Sequence, residues 1–519
     1  MTPPPKTTST YLHPGIDAEQ FLAAIEKAGY ESGPALVKQR TLLDTFDGRL
    51  NAAGLRLEFH EASAGELVLT GGGPAAAHVA VAARPRFAAD LPGGPLRARL
   101  SPILDVRALS SVVSVTTRER VIVQRDKLGK VLASVVVHDR LQGPGGAPGV
   151  GGAGWAVEVG EMAGYAKATQ RVRSLLGSLG LRESDDLMVL AATAAGIDLR
   201  GHRGSPTVAL HRSEPSIDAF RRVLANLADE VDANWEGTVG GLDPEFLHDL
   251  RVAVRRTRSV LAQSKRVLPS ETRDRFREEF GWLGAATGPA RDLDVYVIEW
   301  DSYVGPLGAE VAAALGPLFG HLSTRRETEH GALASLLSSD RYRDLMAAWR
   351  GWLTAAVDDQ ALGTDAHKAI GLVAARRIST ANDRLVAAGR AIGLDTPAEK
   401  LHELRKDAKK LRYLLECFGA VLAQSERKVF VQRLKALQDN LGEHQDTEVH
   451  AAQLRAMSRD LHRSGGAGAD TLVAMGQLAG EFERRRGAAR AEFAERFAAY
   501  NTAKTRHALE VLLDSATDN

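Results

Sequence analysis

Hydrophobic positions fall into two textures along the chain. Up to about residue 200, apolar and β-branched residues alternate with polar ones in short runs, the period of half-buried strands. From Ser216 onward, apolar residues recur at intervals of three and four between short Gly or Pro breaks, the period of amphipathic helices. In the first texture, SVVSVTTRERVIVQR (111–125) and KVLASVVVHDR (130–140) flank a turn from Asp126 to Gly129 and predict a β-hairpin. Shorter strands are predicted at Leu55 to Phe59, Glu66 to Thr70, His78 to Ala83 and Trp155 to Val159. Helical periodicity there is confined to 18–29 and 165–180, and GPGGAPGVGGAG (143–154) reads as a loop. The pattern predicts a β-rich domain over 1–200, a linker over 201–215 and a helical domain over 216–515.

The helical part repeats itself. HDLRVAVRRTR from His248 matches HELRKDAKKLR from His402, an offset of 402 − 248, or 154 residues. LGAATGPARDLDV from Leu283 matches LQDNLGEHQDTEV from Leu437 at the same offset, as do Arg222 and Arg376. Two blocks in one register predict a duplication over about 222–295 and 376–449, hence two similar bundles related by an approximate two-fold axis.

On a helix, positions 3, 7 and 10 residues apart fall within one narrow band. His248, Arg251, Arg255 and Arg258 share such a band, and so do His402, Arg405, Lys409 and Arg412. Leu247, Leu250, Val254 and Leu261, with Leu401, Leu404, Ala408, Leu411 and Leu415, form the neighbouring apolar faces. Arg256, Lys406 and Lys410 widen the positive surface, and no acidic neighbour at four-residue spacing is expected to neutralise either stripe. Like charges along one face destabilise a bare helix, so a fold that keeps them twice is expected to meet an anion there. Arginine forks suit phosphate, and the duplicated histidines are hydrogen-bond donors at the head of each stripe. Gly288 and Gly442 are expected at helix breaks or close approaches, Asp292 and Asp446 as helix caps or anchors for a basic residue, and Arg291 within reach of phosphate.

Composition narrows the partner. The 66 Lys and Arg nearly balance 65 Asp and Glu, which excludes a uniformly basic, polyanion-coating protein. Residues 1–200 hold 22 basic and 20 acidic residues, leaving 44 and 45, so any phosphate grip lies in arrangement. The stripes lack interleaved aromatics apart from Tyr413, which argues against nucleic acid. One cysteine, Cys417, leaves no internal disulfide or cysteine zinc site. No run of about 18 apolar residues and no signal-peptide pattern at MTPPPKTTST predict a cytoplasmic protein with no membrane partner.

The two His-x-x-Arg-x-x-x-basic-basic-x-Arg motifs at His248 and His402, with the Gly-x-x-x-Asp blocks at Gly288 and Gly442, resemble the CHAD family, the conserved-histidine α-helical domain, over about 213–515. That resemblance implies a pair of four-helix bundles with a basic central surface that binds inorganic polyphosphate, often on polyphosphate granules. It carries over to His248, Arg251, Arg255, Arg258, His402, Arg405, Lys409 and Arg412; Arg222 and Arg376 join them as candidates from the shared offset. LLDTFDGRLNAAGLRLE (42–58), the hairpin ending at Asp139, and WAVEV (155–159) followed by a helix resemble the CYTH, or triphosphate tunnel, domain, which implies a closed antiparallel β-barrel. The expected fold is therefore α+β in two domains. Active members of that family hold Mg²⁺ or Mn²⁺ on a Glu-x-Glu-x-Lys strand and cleave triphosphate or polyphosphate, which is one alternative function here, nucleic-acid binding being the other. In this chain TTSTYLHP occupies that strand and the first acidic residues are Asp17 and Glu19, so no catalytic or metal-ligating residue is assigned. Glu58, Asp139, Glu158 and Glu161 are scattered carboxylates, and Arg84/Arg86, Arg97/Arg99 and Arg118/Arg120 are spaced to share strand faces, either lining a tunnel or facing solvent.

Overall fold

The computed structural model describes residues 8–12, 15–61, 65–71, 77–150, 153–160, 164–202, 204, 208–356, 358–393 and 395–517. Glu161 and part of the 143–154 loop lie outside them. The chain divides into two compact units, 1–204 and 205–519.

In the first unit the order is β1 (Thr8–Leu12), α1 (Ala18–Lys27), β2 (Glu31–Thr45), α2 (Arg49–Ala52), β3 (Arg56–Glu61), β4 (Gly65–Thr70), β5 (Ala77–Val81), α3 (Pro95–Leu104), β6 (Leu109–Arg125), β7 (Val131–Gln142), β8 (Ala156–Gly160), α4 (Ala166–Ser178), β9 (Arg182–Ser184) and α5 (Leu187–Ala194). The strands form one antiparallel sheet in the order β5-β4-β3-β2-β6-β7-β8-β1-β9. β5 and β9 are unpaired with each other among the described residues, so the sheet is open, and the expected closed barrel is corrected. Both edges are short, and β9 exposes Arg182 and Glu183, charged residues that suit an edge. The predicted hairpin is β6 and β7, with the amide of Asp126 donating to the Lys130 carbonyl at 2.9 Å.

The sheet is nevertheless strongly curled. β2 and β8 are separated by β6 and β7, which would put them about 14 Å apart if flat. Yet the Arg40 guanidinium on β2 reaches Glu158 on β8 at 2.9 Å. The same guanidinium donates to both oxygens of Glu58, at 2.8 and 3.1 Å, while His138 lies 3.2 Å from Glu158 and His60 3.0 Å from Glu58. Apolar clusters surround this buried polar centre. α1 and α4 pack on Val135, Val137, Val157 and Val159, α3 packs on Leu43, Leu57 and Leu69, and α5 packs on Leu42, Val113 and Val115.

The second unit contains α6 (Ser216–Val239), α7 (Pro244–Gln263), α8 (Ser270–Ala286), α9 (Gly288–Ile298), α10 (Trp300–Val304), α11 (Ala309–Ala314), α12 (Gly316–Leu337), α13 (Asp340–Thr354), α14 (Ile370–Arg390), α15 (Ala398–Cys417), α16 (Gln424–Ser464), α17 (Ala469–Tyr500) and α18 (Ala503–Thr517). The starts of α6, α7 and α8 recur 154 residues later as those of α14, α15 and α16. The expected pair of four-helix bundles is corrected in two ways. Each half adds a long helix and a 15-residue helix, α12 and α13 against α17 and α18, and the first half breaks into extra short segments where α16 runs unbroken. The halves also share their cores. One apolar cluster runs from Ile217 to Ala516 through both, and Phe220 of α6 meets Phe418 after α15 with ring centroids 5.0 Å apart.

The Arg40 centre holds the first unit's sheet in its curl, and removing one partner of a buried ion pair costs about 3–5 kcal/mol. Arg40→Met should destabilise the N-terminal unit by about that amount, measured as an earlier transition for this unit in urea; a loss below about 1 kcal/mol contradicts this role. Burial pushes the Glu58 carboxyl up, but Arg40 and His60 outweigh it and hold the group at about 2. The stability it contributes is complete above the ordinary carboxylate range, and is lost as pH falls toward that value.

Candidate functional site

α7 begins where Asp243 accepts hydrogen bonds from the amides of Glu245 and Phe246, with Pro244 in the first turn. Its leucine face and that of α15 are buried, as the periodicity predicts. The packing sets equivalent residues of the two halves against each other. The Tyr296 and His450 rings lie 4.5 Å apart, and Asp292 is electrostatically coupled to Asp446, and Lys409 to Arg255. Each pair is separated by 154 residues, so an approximate two-fold axis passes between them.

The stripes do not form one uniform grip. Arg255 and Arg258 of the first stripe and Lys409 of the second, with Lys410 beside it, line a cavity of about 690 Å³ between α7, α8 and α15, and none of the four has a hydrogen-bond or ion-pair partner among the described residues; Arg412 does not line it. Arg277 and Lys406 also line it, but they lean on Asp274 at 3.6 Å and Glu403 at 2.9 Å. Asp274 and Glu278 are the acidic lining residues. Burial, then Arg405 and Arg255, push the Lys409 amine down to about 8 against the weaker pull of Asp446. The Arg255 Nε is buried without an acceptor among the described residues.

The N-terminal halves serve the protein itself. Arg251 donates to the Gly284 carbonyl at 3.0 Å and to Thr287 at 2.8 Å, and burial followed by Arg255 lowers it to about 10. Arg405 pairs with Asp446 at 2.9 Å, the anchoring role expected of that aspartate. His402 Nδ1 is 2.7 Å from the Gln445 side chain, and with Arg405 it faces a second cleft of about 570 Å³ that carries Asp292, Glu299, Glu443 and Asp446. His248 holds the equivalent place on α7, half-buried. Arg291 reaches the Pro244 carbonyl at 3.3 Å. Gly288 follows a helix interruption, whereas Gly442 lies inside unbroken α16; both lie beside the first arginine of a stripe, where a Cβ would stand in ordinary contact, 3.7 Å from Arg251 and 3.9 Å from Arg405.

Arg222 and Arg376 lie outside the groove. Arg222 pairs with Glu214 at 2.9 Å and Arg376 with Asp365. Arg412 also differs from expectation. Glu416, four residues on, accepts its Nε at 2.6 Å and also accepts Arg256, so the second stripe does have an acidic neighbour at that spacing. Arg277 has Val431 at its equivalent position, so no repeat in the sequence reveals it.

The first unit brings Glu58 and Glu158 together, but on a guanidinium. Arg40 lies between them, Asp139 is held by Arg118 at 2.5 Å and Arg120 at 3.0 Å, and no group of three metal-ligating side chains occurs among the described residues. This donor set does not fit Mg²⁺ or Mn²⁺, which need converging oxygens without a competing cation. Arg97 and Arg99 sit on α3 rather than a strand, and Arg84 and Arg86 lie outside the strands.

The CHAD domain family model matches residues 222–455. Two uncharacterized proteins from two strains of Mycobacterium tuberculosis are 28% identical over 248 residues, 46% of this chain and 46% of each relative. The chain thus spans about half the length of the curated relatives it matches. Among solved structures, the CHAD domain from the plant Ricinus communis is 25% identical, with 60% of this chain and 98% of that one covered at a TM-score of 0.45. PptA from Streptomyces chartreusis is 20% identical, with 55% and 99% covered at the same TM-score. Among the described residues no helix is long and apolar enough to cross a membrane.

The crowding of cations has a direct signature. The Lys409 amine should titrate near 8 in the free protein, followed by NMR of side-chain-labelled lysines and assigned with Lys409→Arg. A midpoint in the ordinary lysine range near 10.4 contradicts the burial among like charges.

Proposed function

We propose that the helical unit binds linear inorganic polyphosphate, and that Arg255, Arg258, Lys409 and Lys410 make the grip. The observation that carries this reading is that these four cations face one cavity with no hydrogen-bond or ion-pair partner among the described residues, in a chain whose total charge is close to neutral. A row of phosphates supplies that counter-charge through charge-assisted hydrogen bonds, worth about 1.5–3 kcal/mol each. The CHAD family match over 222–455 supports the same ligand class, since that family is linked to polyphosphate binding. Nucleic acid fits the cavity less well, because Tyr413 is its one aromatic lining residue and offers a single stacking face. A place on cytoplasmic polyphosphate granules belongs to the same proposal.

Fluorescence anisotropy with labelled long-chain polyphosphate tests it. Wild-type affinity should fall steeply with salt, and Arg255→Glu with Lys409→Glu should weaken it by about 100-fold or more. Unchanged binding in that double variant sinks the proposal, as does displacement of polyphosphate by single-stranded DNA at equal phosphate concentration.

A further inference from the structure

The duplication contains its own comparison for the occupied and open groove. At one end of the α7–α15 contact, Glu416 joins three donors. Its Oε2 accepts Arg256 Nη2 at 2.8 Å and Nε at 3.2 Å, and its Oε1 accepts Arg412 Nε at 2.6 Å. A carboxylate thus bridges arginines from both helices, as a phosphate would. Moving each residue by 154 places maps Arg256 onto Lys410, Arg412 onto Arg258, and Glu416 onto Ala262. All three line the open cavity. The two cations are kept there, the bridging acid is missing, and Lys410 and Arg258 are without a partner among the described residues.

We infer that Glu416 is a built-in substitute for a phosphoryl group that closes one of two symmetric anion places, and that a phosphate of the ligand bridges Arg258 and Lys410 beside Ala262. This deepens the proposed polyphosphate binding and rests on it: the chain engages one end of a pseudo-symmetric groove because Glu416 fills the other. Side-chain length fits the assignment. Alanine ends at Cβ and leaves the space open, whereas a glutamate at that place on the helix reaches the cation four residues earlier, the spacing that Arg412 and Glu416 show.

Two substitutions exchange the ends. Ala262 is exposed and Glu416 half-buried, so neither change disrupts the core. Ala262→Glu should supply the missing acid and weaken binding of labelled polyphosphate by about tenfold or more. Adding Glu416→Ala to it should open the opposite end and restore affinity to within about threefold of wild type. Circular dichroism and thermal melting of each variant establish that it is folded. Binding by Ala262→Glu within about twofold of wild type overturns the inference, as does a double variant no tighter than Ala262→Glu alone. Absence of polyphosphate binding by the wild type is a separate outcome, and removes the underlying function as well.

Discussion

The shared apolar core of the helical unit forces its like charges together. Leu247, Leu250, Leu401, Leu404, Leu411 and Leu415 are buried along the faces of α7 and α15, and each such side chain contributes about 1.5–3 kcal/mol by leaving water. Repulsion between like charges near a surface is on the order of a few kcal/mol for a close pair and smaller beyond it. Six buried leucines therefore outweigh the repulsion between Arg255 and Lys409, and the cations are held near the axis whatever their mutual preference. The depressed Lys409 amine is the residue of that contest. An anion entering the groove meets charges already assembled, so less ordering is required on binding.

Near-neutral net charge and a basic groove are reconciled by where the acids go. Asp446 holds Arg405, Glu416 holds Arg256 and Arg412, Asp365 holds Arg376, Asp407 holds Arg384, and Asp294 holds Arg326. Each pairing neutralises a cation elsewhere, leaving Arg255, Arg258, Lys409 and Lys410 without an ion-pair partner among the described residues. The first unit applies the opposite arrangement at its centre, where Arg40 is enclosed by Glu58 and Glu158 and its charge is fully answered. A guanidinium so enclosed organises a curled sheet; a cation facing an open cavity without an ion-pair partner recruits a ligand.

Much of this was legible in the sequence. The hairpin, the helical half, the repeat register and the leucine faces follow from periodicity alone, because burial imposes period on residue type. β2 was not, since Gly33 and Pro34 interrupt it, residues 31–39 are largely exposed and 40–45 are buried on both faces, so no alternation survives. The β2–β6 register shift between Ser32 and Ala35 brackets the interruption. α3 carries Pro95 at its start and Pro102 inside, and α5 is so uniformly apolar that no face stands out. At the site, the stripe identified the cations but not their division of labour, because a helix face records direction and not partners. Arg251 and Arg405 share a band with Arg255 and Lys409, yet Thr287, Gly284 and Asp446 come from distant helices to claim them.

Duplication also explains how a one-ended groove arises without a new fold. Both copies keep the leucine faces and the cationic positions, because the former hold α7 to α15 and the latter face the axis. The position after the last turn of the stripe is constrained by neither. Alanine and glutamate both sit well there on a helix, so a change between them leaves packing intact and alters only the charge at one end. At Glu416 the acid ties Arg256 of one half to Arg412 of the other and closes that end with a permanent ion bridge. Beside Ala262 the equivalent cations, Arg258 and Lys410, have no such bridge among the described residues, and the energy of bringing them together is left for an incoming anion to offset. One exposed position, invisible to core packing, thus sets the direction in which the groove is open.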